Sequence, residues 1–89
     1  MTATLRFWAA AREAAGTAEE RVGAATLGAA LAEAVERRGG ADGGGAQLLR
    51  VLARCSVLVD GMQVGRADPG TVALHEDSVV EILPPFAGG

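Results

Sequence analysis

The sequence nears its end with "VVEIL" at 79–83, where four of five residues are apolar and only Glu81 is charged, and two prolines follow at once. A strand with one face in water alternates apolar and polar residues, so this run reads instead as a central strand with both faces at least partly covered. Candidate neighbours stand earlier in the chain. The tail behind it, "PPFAGG", must leave from the middle of the sheet.

The rest of the chain supplies suitable partners. Residues 3–8, "ATLRFW", place Leu5 and Phe7 on one face and Thr4, Arg6 and Trp8 on the other, the period of a half-buried strand. "AAAREAAG" predicts a short helical turn closed by Gly16, and "TAEERV" a polar edge strand ending at Val22. The main helix is "TLGAALAEAVERRGG". Thr26 suits its N-cap, Leu27, Leu31, Ala34 and Val35 form the apolar stripe, and Arg37 and Arg38 face the negative end of its dipole. "GGADGGG" reads as a flexible loop by composition, and "AQLLRVLAR" as a second short helix with Leu48, Leu49, Val51 and Leu52 apolar. In "CSVLVDGMQV" the Asp60-Gly61 pair between apolar alternations predicts a hairpin, and turns follow at 68–70 and 76–78.

Eighty-nine residues make one domain with a small core, about 60–65% of the unfolded surface being buried at this size. No apolar run reaches the ~20 residues of a membrane span, and the N-terminus lacks the basic, apolar and cleavage regions of a signal peptide. A cytoplasmic protein without membrane contact is expected. A net charge of −3 with scattered arginines argues against a nucleic-acid surface. All eight basic side chains are arginines, so lysine-linked chains of this protein cannot form.

The side chains offer little chemistry of their own. Cys55 is the only cysteine, which excludes an internal disulfide and a cysteine-rich zinc site, and it reads as a small hydrophobe at a strand start. His75, the only histidine, reads as an exposed turn residue, and no metal site is expected. The outer face of the last strand is more informative. With Val80 and Ile82 toward the helix, Val79, Glu81 and Leu83 point away, beside Arg6 and Trp8. Val79, Leu83, Trp8 and Phe86 then form an apolar patch with an Arg6–Glu81 pair, and such patches mark partner surfaces.

The order of elements, the phrase "FWAAAREAAG", the hairpin near "VLVDGMQV" and the ending "LPPFAGG" together resemble the ubiquitin-like β-grasp sulfur carriers, the MoaD/ThiS family. The resemblance is greatest to the MoaD-type small subunit of molybdopterin synthase. It implies an α+β fold, a mixed sheet of about five strands on one main helix at 1–83, with an extended tail at 84–89. Where such families often carry Asp-Gly-Asp before the last strand, this chain has Glu76-Asp77-Ser78. This loses the glycine that adopts positive φ without strain, but Asp tolerates that region better than most residues, so the turn can survive.

The resemblance also implies a role for the tail. An E1-like adenylyltransferase of the MoeB type would use ATP to adenylate the Gly89 carboxylate. A sulfur donor protein would then displace AMP and leave a thiocarboxylate. The large, MoaE-type subunit would bind the pterin precursor and supply the catalytic side chains, so the carrier is one subunit of a sulfurtransferase and binds no cofactor itself. The residue types suit this: Gly88 and Gly89 lack Cβ and can thread a narrow channel, while Pro84 and Pro85 stiffen a segment whose six residues reach ~20 Å. Phe86 is the expected anchor, with Ala87, Leu83, Val79 and Trp8 adding contact. Two readings of Arg12 and Glu13 stand, a solvated pair on a short helix or an Arg12 that touches the partner beside the tail. Two alternatives remain open for the whole chain: a β-grasp carrier for thiazole or cysteine synthesis or for protein modification, and a β-grasp binding module with no chemistry.

Overall fold

A computed structural model describes residues 2–85. Its elements are β1 (Ala3–Phe7), α1 (Ala9–Ala15), β2 (Glu19–Val22), α2 (Leu27–Arg37), α3 (Ala46–Leu52), β3 (Ser56–Val59), β4 (Met62–Gln63) and β5 (Val79–Leu83), with a 3₁₀ turn at Pro69–Thr71. The strands form one sheet in the order β2-β1-β5-β3-β4. The last strand is therefore central, as its composition predicts. It runs parallel to β1 and antiparallel to β3.

The core lies between the sheet and the helices. Leu5, Phe7, Val80 and Ile82 project inward and are fully or almost fully buried, and they meet Leu27, Ala30, Ala34 and Val35 of α2 and Leu48 of α3. Burying a side chain such as Ile82 contributes about 1.5–3 kcal/mol, so the apolar inner row of two strands carries much of the fold. The Thr26 hydroxyl caps α2 by accepting from the Ala29 N–H at 3.2 Å. Gly16 closes α1 in the left-handed conformation, φ 80°, with its N–H on the Arg12 carbonyl.

Several local expectations change on contact with the fold. β1 stops at Phe7, and Trp8 becomes the N-cap of α1, because the next residue, Ala9, takes φ 48° and turns the chain out of the sheet. Leu49 does not join the core; it is 46% exposed while Leu48 beside it is buried. Residues 39–45 are a packed series of turns rather than an open loop. A Cβ on Gly44 would lie 2.3 Å from the Arg38 carbonyl oxygen, and one on Gly45 2.4 Å from that of Val35. The glycines there permit close backbone approach, which composition alone does not distinguish from flexibility.

Arg38 ties three elements together. Its guanidinium donates to both carboxylate oxygens of Glu20, at 2.6 and 3.1 Å, and to the carbonyls of Ala15 and Ala34, both at 2.8 Å. It also lies over the Phe7 ring, 5.7 Å from the centroid. The end of α1, β2 and the end of α2 are thereby fixed to one another.

Candidate site where the last strand leaves the sheet

The parallel pairing of β1 and β5 brings their C-terminal ends to the same edge of the sheet, with Phe7 opposite Ile82. The Trp8 N–H donates to the Ile82 carbonyl at 3.1 Å, which seats the start of α1 over the end of β5. On the other side Ser56 pairs with Leu83, so the beginning of β3 flanks the same end. Pro84 is buried there and Pro85 is exposed. Phe86, Ala87, Gly88 and Gly89, the tip expected to carry the chemistry, lie outside the described residues.

Beside this exit is a recess of about 140 Å³ lined by Arg6, Phe7, Trp8, Arg12, Ala18 and Glu19. Trp8 is 47% exposed. Arg6 is held between two carboxylates, at 2.9 Å from Glu19 and 3.8 Å from Glu81. Glu19 is thus the nearer partner, a neighbour that the one-strand reading of the outer face omits. Arg12 and Glu13 are both exposed, and neither forms an ion pair among the described residues. Arg12 consequently offers an uncommitted guanidinium next to an exposed indole, a combination that accepts carboxylates and apolar groups together.

The site residues named from sequence divide into two groups. Trp8, Arg12, Leu83, Pro84 and Pro85 gather at the exit. Val79 lies at the opposite end of β5, four residues and about 13 Å from Leu83 at the usual strand rise. Val79, Glu81 and Leu83 are all half-buried rather than fully exposed, because β1 and β3 flank them on both sides. Leu58, opposite Glu81 in β3, shares this outer face, which the composition of the last strand alone does not show. The alternation in "SVLVD", with Val57 and Val59 packed on the core, is the signal that assigns Leu58 to it.

The entry of β5 is held by Asp60. This residue occupies the hairpin turn at φ 50°, and its carboxylate accepts from the Val79 N–H at 2.8 Å and the Ser78 hydroxyl at 3.0 Å. Asp77 adopts φ 65° in the turn just before, as the missing glycine requires. The Glu76 carboxyl is held below its ordinary range, first by the Thr2 N–H and then by the Thr2 hydroxyl.

The remaining reactive side chains are quiet. Burial pushes the Cys55 thiol up, and its Sγ–H donates to the Val51 carbonyl at 3.1 Å, so nothing favours a thiolate. His75 is exposed. Among the described residues no cluster of three or more His, Cys, Asp or Glu is placed to hold a metal, and no helix is long and apolar enough to cross a membrane.

Comparison with known proteins agrees with this geometry. The sequence profile of the ThiS family matches residues 5–89. No curated protein matches significantly. Among solved structures, small archaeal modifier protein 1 of Methanosarcina acetivorans superposes with a TM-score of 0.78 at 20% identity, covering 99% of this chain and 96% of that one. The HVO 2177 protein of Haloferax volcanii gives 0.69 at 32% identity, with 100% and 87% covered. A chain from the complex of subunits 1 and 2 of molybdopterin-converting factor from Helicobacter pylori gives 0.65 at 19% identity, with 100% of both covered. With a central last strand, a β1–α1 junction packed on its end and a profile match that runs to the final glycine, this chain belongs to the ThiS family, as a ubiquitin-like β-grasp protein of the ThiS/MoaD type.

Proposed function

We propose that this protein is a cytoplasmic sulfur carrier, the small subunit of a molybdopterin synthase, and that it carries sulfur as a thiocarboxylate on Gly89. The observation that supports this most is the family match extending through the terminal Gly-Gly, on a chain whose last strand ends at the sheet centre beside Trp8 and Arg12. An α-carboxylate is a poor electrophile. Adenylation by an E1-like enzyme with ATP makes it a mixed anhydride, and a sulfur donor then expels AMP to leave the thiocarboxylate. The large subunit binds the pterin precursor and accepts the sulfur. This chain contributes the docking surface and the tail, and no side chain of its own enters the reaction.

The test is intact-mass analysis after incubation with ATP, a sulfur donor and the cognate adenylyltransferase. Replacement of one oxygen by one sulfur is expected, with the change confined to the C-terminal peptide. Appending a single residue after Gly89 should leave the fold intact and abolish loading, because the former carboxylate is then an amide. Loading of the extended protein without prior trimming refutes the mechanism. Co-purification with a pterin-binding subunit then assigns the acceptor.

A second reading keeps the activated tail and changes the acceptor to an amine on another protein. The similarity to archaeal modifier proteins favours it. Isopeptide-linked conjugates in cell extract, in place of a recovered pterin-binding subunit, would establish this reading instead.

A further inference from the structure

The charges of this chain are sorted along β5. At the strand's entry stand three exposed carboxylates, Asp60, Glu76 and Asp77, accompanied by Arg21 on β2, which Thr4 of β1 separates from Val79. At its exit arginines outnumber carboxylates: Arg6 is matched by Glu19 and Glu81 and Arg12 has the exposed Glu13 beside it, while Arg50 and Arg54 add two further cations. Arg12 on α1 flanks the exit on the β1 side. On the β3 side, "AQLLRVLAR" carries Arg50 and Arg54 with no carboxylate, and Arg54 stands two residues before Ser56, the partner of Leu83. Arg50 and Arg54 line a common surface depression of α3, and α1 and α3 pack against each other. Arg12, Arg50 and Arg54 are all exposed, and none forms an ion pair among the described residues.

Unpaired arginines on a chain of net charge −3 are not needed for solubility. Arg50 and Arg54, with Arg12, leave a small excess of positive charge beside the start of the tail on a chain that is negative as a whole. Such an excess orients an approaching molecule before contact and speeds association with a complementary surface. We propose that this basic pole docks on an acidic rim around the channel that receives the tail on the activating enzyme, and that the charge polarity along β5 presents the molecule tail first. The inference rests on the carrier reading and adds to it the chemistry of the partner surface. α3 and the loop after it contribute through Arg50 and Arg54, residues outside the apolar outer face of the sheet.

The experiment measures stopped-flow association with the E1-like adenylyltransferase across ionic strength, for the wild type, Arg50→Glu/Arg54→Glu and Arg21→Glu. The double variant should associate about tenfold more slowly at ~50 mM salt and about twofold more slowly at ~500 mM, where screened charge interactions fall off over a few ångströms. Arg21→Glu also makes the chain more acidic, but at the other pole, and should associate within about twofold of the wild type at either salt. If the double variant does not fold, Arg50→Gln/Arg54→Gln should show the same salt-dependent loss, about threefold at low salt. Unchanged association of the variants, or equal slowing by Arg21→Glu, overturns the basic pole while leaving the carrier reading in place, provided the wild type still acquires sulfur. A wild type that neither binds the adenylyltransferase nor acquires sulfur overturns both.

Discussion

Replacing Arg38 with methionine tests whether its ion pair with Glu20 holds the α1–β2–α2 junction. The guanidinium makes four hydrogen bonds, two to Glu20 and one each to the carbonyls of Ala15 and Ala34. The side chains of Arg38 and Glu20 are only 16% and 12% exposed, so the pair is mostly removed from solvent screening. Breaking a buried pair from one side costs roughly 3–5 kcal/mol, because the other charge stays uncompensated. Here Glu20 keeps Arg37 at 3.5 Å, and methionine refills part of the stem volume over Phe7. The expected loss is therefore near the low end, about 3 kcal/mol. A domain of this size has roughly 4–13 kcal/mol in total, and each kcal/mol moves Tm by about 4–8 °C, so a fall of about 12–24 °C is expected. Urea denaturation gives the free energy, and a cycle with Glu20→Gln should return a coupling above ~1 kcal/mol. A loss below ~1 kcal/mol, or a coupling near zero, would show that packing rather than the ion pair holds the junction.

Three further outcomes are expected. Asp60→Ala should cost about 2–3 kcal/mol in denaturant, since it removes two acceptor bonds at the entry of β5 and leaves a β-carbon at φ 50° without the local hydrogen bonding that suits Asp to that region; Asp60→Asn should recover part of it. Cys55→Ser should deliver sulfur within a few-fold of wild type and lose ~1–2 kcal/mol, and because burial raises the thiol, alkylation of native Cys55 should stay slow until the pH rises above the ordinary thiol range of about 8.5. Phe86→Ala should leave the Tm of the isolated protein nearly unchanged and weaken binding to the large subunit or the activating enzyme by ~2–4 kcal/mol in titration calorimetry; a lowered Tm with unchanged affinity would mean that Phe86 packs on its own domain.

Much of the fold is legible because local and global signals agree. "VVEIL" predicts a central strand, Thr26 an N-cap, Asp60-Gly61 a hairpin and Gly16 a helix stop, and each occurs where its chemistry places it. What escaped depends on contacts between segments distant in sequence. Arg38 looks like a dipole-facing cation from α2 alone, and only the fold brings Glu20, Ala15 and Phe7 around it. Asp60 reads as a turn former, while its use as an acceptor for Val79 and Ser78 depends on the β3–β5 pairing. The glycines at 43–45 look flexible because composition records permission and not use. The site is legible in kind and less so in extent: a shared face groups Val79 with Leu83, but a strand separates its residues along its length as well as between its sides.

The direction of one strand pairing explains why the two most specific stretches of the sequence lie at its opposite ends. β1 and β5 are parallel, so residue 7 sits opposite residue 82, and the segments that follow both strands emerge together. The start of "FWAAAREAAG" and the "LPP" at 83–85 therefore meet at one edge of the sheet, joined by the Trp8 N–H on the Ile82 carbonyl. Had β5 paired antiparallel to β1, Trp8 and Arg12 would stand about 13 Å from the exit, at the acidic end by Asp60 and Asp77. Parallel strands need a crossover, and here everything between β1 and β5 serves as one. The helices and the β3–β4 hairpin thus do more than cover the core: by letting the last strand return between β1 and β3 in this direction, they place Trp8, Arg12 and the arginines of α3 around the start of the tail.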